Sequence, residues 1–195
     1  KKLDISTTSY ITQVPVELTD TNKEITVVNS GSNVLYVRLI TQGQPLTGEA
    51  IPAQNNADVL SMNVSYIGLD GNPLDMESLP QGTDFVAKVS IRNPGIRGKY
   101  DHMTLSQVFP GGWEILNTRM LDNEGSFKPS AFQYQDIRDD RVYTHFDIRE
   151  GETRTYYVML NAAYKGKYFL PGVYCEAMYD HTISAGVRGK WVEVR

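Results

Sequence analysis

The chain has 195 residues and a mass of 21.9 kDa, with 41% hydrophobic residues, 22% charged residues and a formal net charge of −4. The acidic balance argues against a nucleic-acid partner, because such a partner favours an excess of Lys and Arg. No apolar run approaches the roughly 18 residues that a membrane helix requires, so we predict a globular chain that does not insert into a membrane.

The first part of the chain contains a predicted hairpin. The turn-forming residues 29–33 separate two β-prone runs, 25–28 and 34–40. The next stretch, residues 42–57, is polar and rich in Gly, Pro and Asn, which is typical of a domain boundary. We therefore predict a short β-rich segment over residues 1–57 and a separate domain over residues 58–195.

Alternation of apolar and polar residues dominates the rest of the chain and predicts half-buried antiparallel strands. It is strict over residues 60–66 and returns over 85–91, 142–146 and 156–162. No run of ten or more residues has the helical period, and residues 75–79 allow only one helical turn. We predict an all-β, antiparallel β-sandwich. Its inward face is expected to include Leu60, Met62, Val64, Phe85, Val89 and Ile91.

Two irregular regions interrupt this pattern. Residues 121–135 are predicted to form a long loop held by three aromatic side chains, Phe127, Phe132 and Tyr134. Acidic residues are concentrated in 136–140 and 147–152, where arginines are interleaved with them. That mixture is typical of a solvated hairpin and lacks the ligand spacing of a calcium loop.

Residues that commonly carry chemistry form no recognisable catalytic or metal-binding pattern. His102, His145 and His181 include no close pair of the kind that zinc sites use, so we interpret them as surface or turn residues. Cys175 lies in a predicted strand and is interpreted as a half-buried structural thiol. The GxSxG motif of serine hydrolases is absent from the sequence. We therefore expect no enzyme activity, no metal and no cofactor.

Aromatic and methionine side chains near the C-terminal end of the chain have two possible roles. They are Tyr164, Tyr168, Tyr174, Met178 and Tyr179. They can fill the core and edge of the sandwich, or they can anchor a partner, since Tyr and Met are favoured at interfaces. The sequence pattern alone leaves both interpretations open.

Several motifs occur in an order that resembles a known family. In chain order they are Tyr66-Ile67, Leu69-Asp70-Gly71-Asn72-Pro73, Gln81-Gly82, Tyr100-Asp101-His102-Met103, Phe109-Pro110-Gly111-Gly112-Trp113-Glu114-Ile115, Arg138-Asp139-Asp140-Arg141-Val142 and Gly172-Val173-Tyr174-Cys175-Glu176-Ala177-Met178-Tyr179-Asp180. Over residues 59–195 they resemble the C-terminal, macroglobulin-like domain of bacterial alpha-2-macroglobulins, the counterpart of the receptor-binding domain of the animal proteins. Residues 1–57, with Val34-Leu35-Tyr36-Val37, resemble the β-rich segment that precedes that domain.

The resemblance implies a large periplasmic parent protein, in many cases lipid-anchored, that traps proteases. In that family a protease cuts a bait segment, and an internal Cys–Gln thioester can capture the protease. Neither the bait nor a CxEQ-like motif is present, since Glu176-Ala177-Met178 follows Cys175. The chain is expected to be a non-catalytic module that inhibits no protease alone. Its expected partners are the thioester and macroglobulin-like domains of the same parent, and target proteases through that parent.

The resemblance also gives two residues a role. In the bacterial family a Met–Tyr pair near the C-terminus packs over the thioester, and Met178 and Tyr179 match that pair in type, order and position. Both can reach one partner only if the strand ends or bends there, since neighbouring side chains of a strand point to opposite faces. We place this bend at Asp180-His181. The alternative function is a secreted glycan- or surface-binding module in which Trp113 and Trp191 stack on sugar.

Overall fold

The computed structural model describes residue 6 and residues 8–15, 25–40, 54–55, 58–116 and 127–195. The chain divides into two compact units, Lys1–Gly43 and Gln44–Arg195. Whether residues 1–57 are part of a neighbouring sandwich stays a prediction.

The described residues of the first unit contain a turn but no regular strand. The Asn29 side chain forms the turn, because its Nδ2 donates to the Asn33 carbonyl and its Oδ1 accepts from the Gly31 N–H. The runs on either side of it, 25–28 and 34–40, are not strands, so the predicted hairpin is wrong over these residues. Their large apolar side chains are exposed.

The second unit is built from antiparallel strands, and no helix occurs among the described residues. The predicted all-β sandwich is therefore confirmed. The strands are β1 (Gln54–Asn55), β2 (Ser61–Gly68), β3 (Asp84–Arg92), β4 (Tyr100–Val108), β5 (Trp113–Ile115), β6 (Tyr134–Ile137), β7 (Arg141–Ile148), β8 (Thr153–Ala162), β9 (Gly166–Leu170), β10 (Val173–Ala177), β11 (Asp180–Val187) and β12 (Lys190–Val194). Since the described residues form no helix, none of them belongs to a helical membrane span.

The strands form three sheets. A six-stranded sheet has the order β1-β11-β10-β4-β7-β6, a four-stranded sheet the order β2-β3-β8-β5, and β9 pairs with β12. The β3–β8 ladder runs from Asp84↔Asn161 to Arg92↔Thr153 without a register shift. A regular register keeps alternate side chains on one face throughout, which is what the sequence pattern requires.

The core lies between the six-stranded and four-stranded sheets. The predicted inward residues Leu60, Met62, Phe85, Val89 and Ile91 are all buried, whereas Val64 is only partly buried. Val64 lies on β2, the edge strand of the four-stranded sheet, and still packs against the core cluster. The side chains divide into two clusters, one around Phe146, Tyr156 and Cys175 and the other around Phe85, Trp113 and Leu160.

The long predicted loop is described only from residue 127 onward, and residues 121–126 lie outside the described part of the chain. Phe127 packs on Tyr157 at 5.6 Å between ring centroids, as an anchoring aromatic should. Phe132 is exposed. Tyr134 lies in β6 and stacks on His145. The loop therefore ends earlier than predicted, because its last residues pair with β7.

Candidate functional site

Met178 and Tyr179, which we call the hairpin tip, form the connection between β10 and β11. Ala177 pairs with Asp180, so the connection has two residues. Met178 is 49% exposed and Tyr179 is 81% exposed. The chain therefore bends at the pair itself, whereas the sequence interpretation placed the bend at Asp180-His181. Because neither residue lies within a strand, their side chains need not point to opposite faces of the sheet.

The neighbouring strand β4 supports the tip through His102. The His102 carbonyl accepts a hydrogen bond from the Met178 N–H at 3.0 Å. The imidazole packs edge-to-face on the Tyr179 ring, with 5.5 Å between centroids and an interplanar angle of 88°. His102 has a φ of 55°, and it is the one non-glycine residue with positive φ in the described part of the chain. The β4–β7 register shifts between Tyr100 and Met103, so His102 lies in a bulge.

A carboxylate on β7 holds the bulge in place. Asp147 Oδ1 accepts a hydrogen bond from the His102 N–H at 3.0 Å, and Asp147 Oδ2 contacts Lys99 Nζ at 3.1 Å. The His102 N–H, and after it Lys99, keeps the pKa of the Asp147 carboxyl below its ordinary value. Lys99 also pairs with Asp101. These contacts connect the tip to two central strands of the six-stranded sheet.

The β11 side of the tip is ordered by Asp180. Its Oδ1 accepts hydrogen bonds from the Thr182 N–H at 3.0 Å and the Thr182 Oγ1 at 2.7 Å. These bonds, together with the charges of Arg97 and His181, lower the pKa of Asp180. Arg97 Nη1 donates to Thr182 Oγ1 at 2.9 Å. The turn is therefore held on both sides, while its two side chains remain exposed.

The other candidate residues lie within strands and not at the tip itself. His145 Nδ1 is 3.0 Å from Thr104 Oγ1 between β4 and β7, and His181 is exposed on β11. Cys175 is fully buried rather than half-buried, and burial raises the pKa of its thiol. It is therefore a poor nucleophile at neutral pH. No group of three or more potential metal ligands occurs among the residues the structure describes.

The acidic runs form ion pairs on exposed hairpins. Arg138 pairs with Asp136 at 2.9 Å, and Arg141 pairs with Asp140 at 2.6 Å. Residues 139–140 form the loop between β6 and β7, because Ile137 pairs with Val142 and the Arg138 N–H bonds to the Arg141 carbonyl. The predicted hairpin is thus confirmed, and each acidic group named here has a cationic partner.

The two tryptophans differ in their availability to a ligand. Trp113 is only 4% exposed and packs edge-on against Phe85 at 5.0 Å and Tyr66 at 5.7 Å. The prediction that Trp113 is exposed and stacks on sugar is therefore wrong, because this ring is part of the core. Trp191 is 46% exposed and packs against Phe169, with the Lys167 ammonium 5.4 Å from its ring centroid.

The sequence analysis named Met178 and Tyr179 but not the residues that support them. His102 was interpreted as an ordinary surface or turn residue, and Asp147 as one charge in an acidic run. Nothing in the sequence shows that a histidine within a strand takes a left-handed conformation. Asp147 is brought close to His102 only by the pairing of β4 with β7, across a separation of 45 residues.

The chain resembles a known domain over most of its second unit. A model of the bacterial alpha-2-macroglobulin MG10 domain matches residues 60–181, which is more than half of the chain and includes the hairpin tip. The chain is 25% identical to the alpha-2-macroglobulin of Rickettsia conorii over an alignment of 206 residues, which covers 93% of this chain. It is also 25% identical to that of Pasteurella multocida over 173 residues, with 87% covered. The chain spans only 10% and 8% of the lengths of these two relatives.

Solved structures share the fold. The native conformation of Escherichia coli alpha-2-macroglobulin matches with a TM-score of 0.66 at 19% identity, over 78% of this chain and 10% of that one. Salmonella alpha-2-macroglobulin reacted with methylamine matches with a TM-score of 0.64 at 22% identity, over 78% of this chain and 10% of that one. An E. coli fragment that spans domain MG7 to the C-terminus matches with a TM-score of 0.64 at 21% identity, over 79% of this chain and 25% of that one.

Proposed function

The chain belongs to the bacterial alpha-2-macroglobulin MG10 domain family, and from this premise we propose that it is a non-catalytic module of a protease-trapping inhibitor. In this proposal it is the C-terminal domain of a periplasmic parent chain and the counterpart of the receptor-binding domain of the animal proteins. It packs against the thioester domain of the same parent, and the hairpin tip covers the thioester. Target proteases meet the module only as part of the whole parent.

The exposure of both tip side chains is the observation that carries this proposal. A flexible thioether beside an aromatic ring can fit closely over a small reactive group. Hydrogen bonds on both sides fix the turn, yet Met178 and Tyr179 remain open in the chain by itself. An ordered apolar projection of this kind supports a contact with a partner surface.

Chemistry supplies a reason for covering the thioester. A primary amine attacks the acyl carbon, the C–S bond breaks, an amide forms, and the displaced thiolate takes up a proton. Removing water and free amines from the acyl carbon therefore preserves the bond until a protease triggers the parent. The Salmonella protein was crystallised after reaction with methylamine, and an E. coli protein after activation by trypsin. Methylamine is accordingly the probe we choose.

The test is a Met178→Ala, Tyr179→Ala double variant of the full-length parent, with an intact thioester. Methylamine uptake before any protease is added is expected to rise by about tenfold or more, since truncating a buried interface anchor costs about 2 kcal/mol or more. Tyr164→Ala is the control, because Tyr164 is also an exposed tyrosine beside a turn. An uptake rate unchanged from wild type would reject the shielding role.

The glycan-binding alternative has less support. It named Trp113 and Trp191 as the rings that stack on sugar, and Trp113 is buried in the core. Trp191 retains an exposed face, but its ring contacts Phe169 and lies near Lys167 in the β9–β12 pair. One exposed tryptophan ring does not favour a sugar site over an ordinary surface residue.

A further inference from the structure

His102 has an unusual backbone conformation, and it lies where it contacts the hairpin tip. Left-handed backbone is unfavourable for a residue with a Cβ and persists only where surrounding contacts enforce it. Here φ is 55°, and the residue lies in the β4 bulge. Bulges re-aim side chains relative to the regular pleat. The bulge therefore determines where the His102 carbonyl and ring point.

Both groups are directed at the hairpin tip. The carbonyl accepts from the Met178 N–H at 3.0 Å, and the imidazole meets the Tyr179 ring at 5.5 Å and 88°. An edge-to-face arrangement is the favoured geometry for two rings at this separation. One residue thus contacts the backbone of the first tip residue and the side chain of the second.

The opposite side of His102 is anchored. Its N–H donates to Asp147 Oδ1 at 3.0 Å, and Lys99 Nζ is 3.1 Å from Asp147 Oδ2. A hydrogen bond to a carboxylate is stronger than one between neutral groups. The bulge is therefore held from β7 while it holds the tip, which connects the position of the Tyr179 ring to a central strand of the six-stranded sheet.

We propose that His102 is a positioning residue for the hairpin tip: its left-handed bulge, anchored by Asp147, fixes the Tyr179 ring in the orientation that meets the partner surface. Its consequence for thioester shielding rests on the function proposed above. A tyrosine with a fixed ring loses less side-chain entropy when a partner covers it, so the docked state forms more readily. Asp147 acts on the tip only through His102.

The experiment separates the ring of His102 from its backbone. His102→Gly and His102→Asn both suit a left-handed conformation and both remove the imidazole. His102→Phe restores an aromatic ring. The matched control is His181→Asn, since His181 is an exposed histidine on β11 near the same turn. Thermal melting of each variant shows whether the chain is folded before the tip is examined.

The first measurement uses NMR of the 195-residue chain, with the Tyr179 ring protons assigned by comparison with Tyr179→Phe. The Gly and Asn variants are expected to lose the ring-current shift from the imidazole and to show sharper, more mobile Tyr179 signals. His102→Phe retains a ring-current shift, and His181→Asn leaves the signals as in wild type. Unchanged Tyr179 signals in the Gly and Asn variants would overturn the proposal.

The second measurement is methylamine uptake by the full-length parent. His102→Gly is expected to increase the rate by about twofold to tenfold, the size of an aromatic pair interaction, and to remain below the double-alanine variant. If the double-alanine variant accelerates uptake and His102→Gly does not, positioning by His102 is rejected while shielding stands. If the double-alanine variant has no effect, shielding is rejected and the NMR result alone decides the positioning role.

Discussion

The six-stranded sheet carries two hairpins of the same length with opposite surfaces. Asp139 and Asp140 connect β6 to β7, and Met178 and Tyr179 connect β10 to β11. Arg141 pairs with Val108 and Ala177 pairs with Met103, so the two connections lie toward opposite ends of β4. One connection is acidic, with an arginine bound to Asp140, and the other is apolar and exposed.

This difference shows what each connection requires from its surroundings. The charges of the acidic connection are satisfied locally, because Asp140 pairs with Arg141 and water solvates the remaining polar groups. The apolar connection is fixed by its neighbours, but its ring and thioether remain in water, where apolar surface is unfavourable. A two-residue connection needs neither Met nor Tyr for its geometry, so the turn itself does not explain why these residues are present.

The largest expected effect comes from the core that holds both hairpins. Val89→Asp should unfold the second unit, because an unpaired buried carboxylate costs several kcal/mol against a total stability of roughly 5–15 kcal/mol. Val89 is fully buried in β3. Thermal melting followed by circular dichroism measures the loss. Lys88→Asp, on the neighbouring and partly exposed position, is the control and should melt close to wild type.

A matched exchange at the two connections should affect only one of them. Met178→Asn with Tyr179→Gly creates a dipeptide that favours two-residue hairpins, and Asp139→Asn with Asp140→Gly creates the same dipeptide at the other end. Both variants are expected to fold. In the parent, the first should raise methylamine uptake by about tenfold or more, as loss of an interface anchor does, and the second should leave it unchanged. Equal rates for the two variants would remove the distinction between the connections.

A smaller effect should appear in acid. The pKa of the Asp147 carboxyl is lowered mainly by the hydrogen bond from the His102 N–H. The stability that the ionised carboxylate contributes is therefore complete above the unfolded pKa of about 3.9, and it is lost as the pH falls through the lower pKa of the folded state. Below about pH 4 the Tyr179 ring signals should therefore move toward those of His102→Gly. Asp147→Asn should remove most of that pH dependence in an NMR titration.

Two controls separate Asp147 from the acids around it. Asp140→Asn, at the other hairpin, should leave the Tyr179 titration as in wild type, although the Arg141 side chain also lowers the pKa of Asp140. Asp180 has a lowered pKa, chiefly through Thr182, and titrates in the same direction. The residual titration in Asp147→Asn therefore measures Asp180. Identical profiles for Asp147→Asn and wild type would contradict the anchoring role.

Local patterns predicted the strands well where a regular ladder follows. The alternation around Phe85, Val89 and Ile91 became an inward face because β3 pairs without a shift on both sides. The same reasoning failed at 25–28 and 34–40, where β-prone residues form no strand. A β-propensity describes how well a residue fits a pleated, half-buried surface, and it does not supply the neighbouring strand.

The family resemblance singled out Met178 and Tyr179, but the sequence did not predict the geometry of their connection. Ala177-Met178-Tyr179-Asp180 contains no Gly, Asn or Pro to indicate a two-residue turn, so the bend was placed at the following residues. His102 has a positive φ and donates its N–H to Asp147, which is distant in sequence, and no local pattern signals either feature. Trp113 was misassigned because an isolated tryptophan in a turn-rich run gives no indication of its burial.

The shortest strand has a practical consequence for handling the second unit. β1 contributes only Gln54 and Asn55, yet it pairs with Ala185 and Gly186 and covers this part of β11 at one edge of the six-stranded sheet. An open strand edge offers unpaired N–H and C=O groups to other chains and promotes self-association. A fragment that begins at residue 58 would expose β11 in this way. A fragment that retains residues 54–55 should remain monomeric at higher protein concentration.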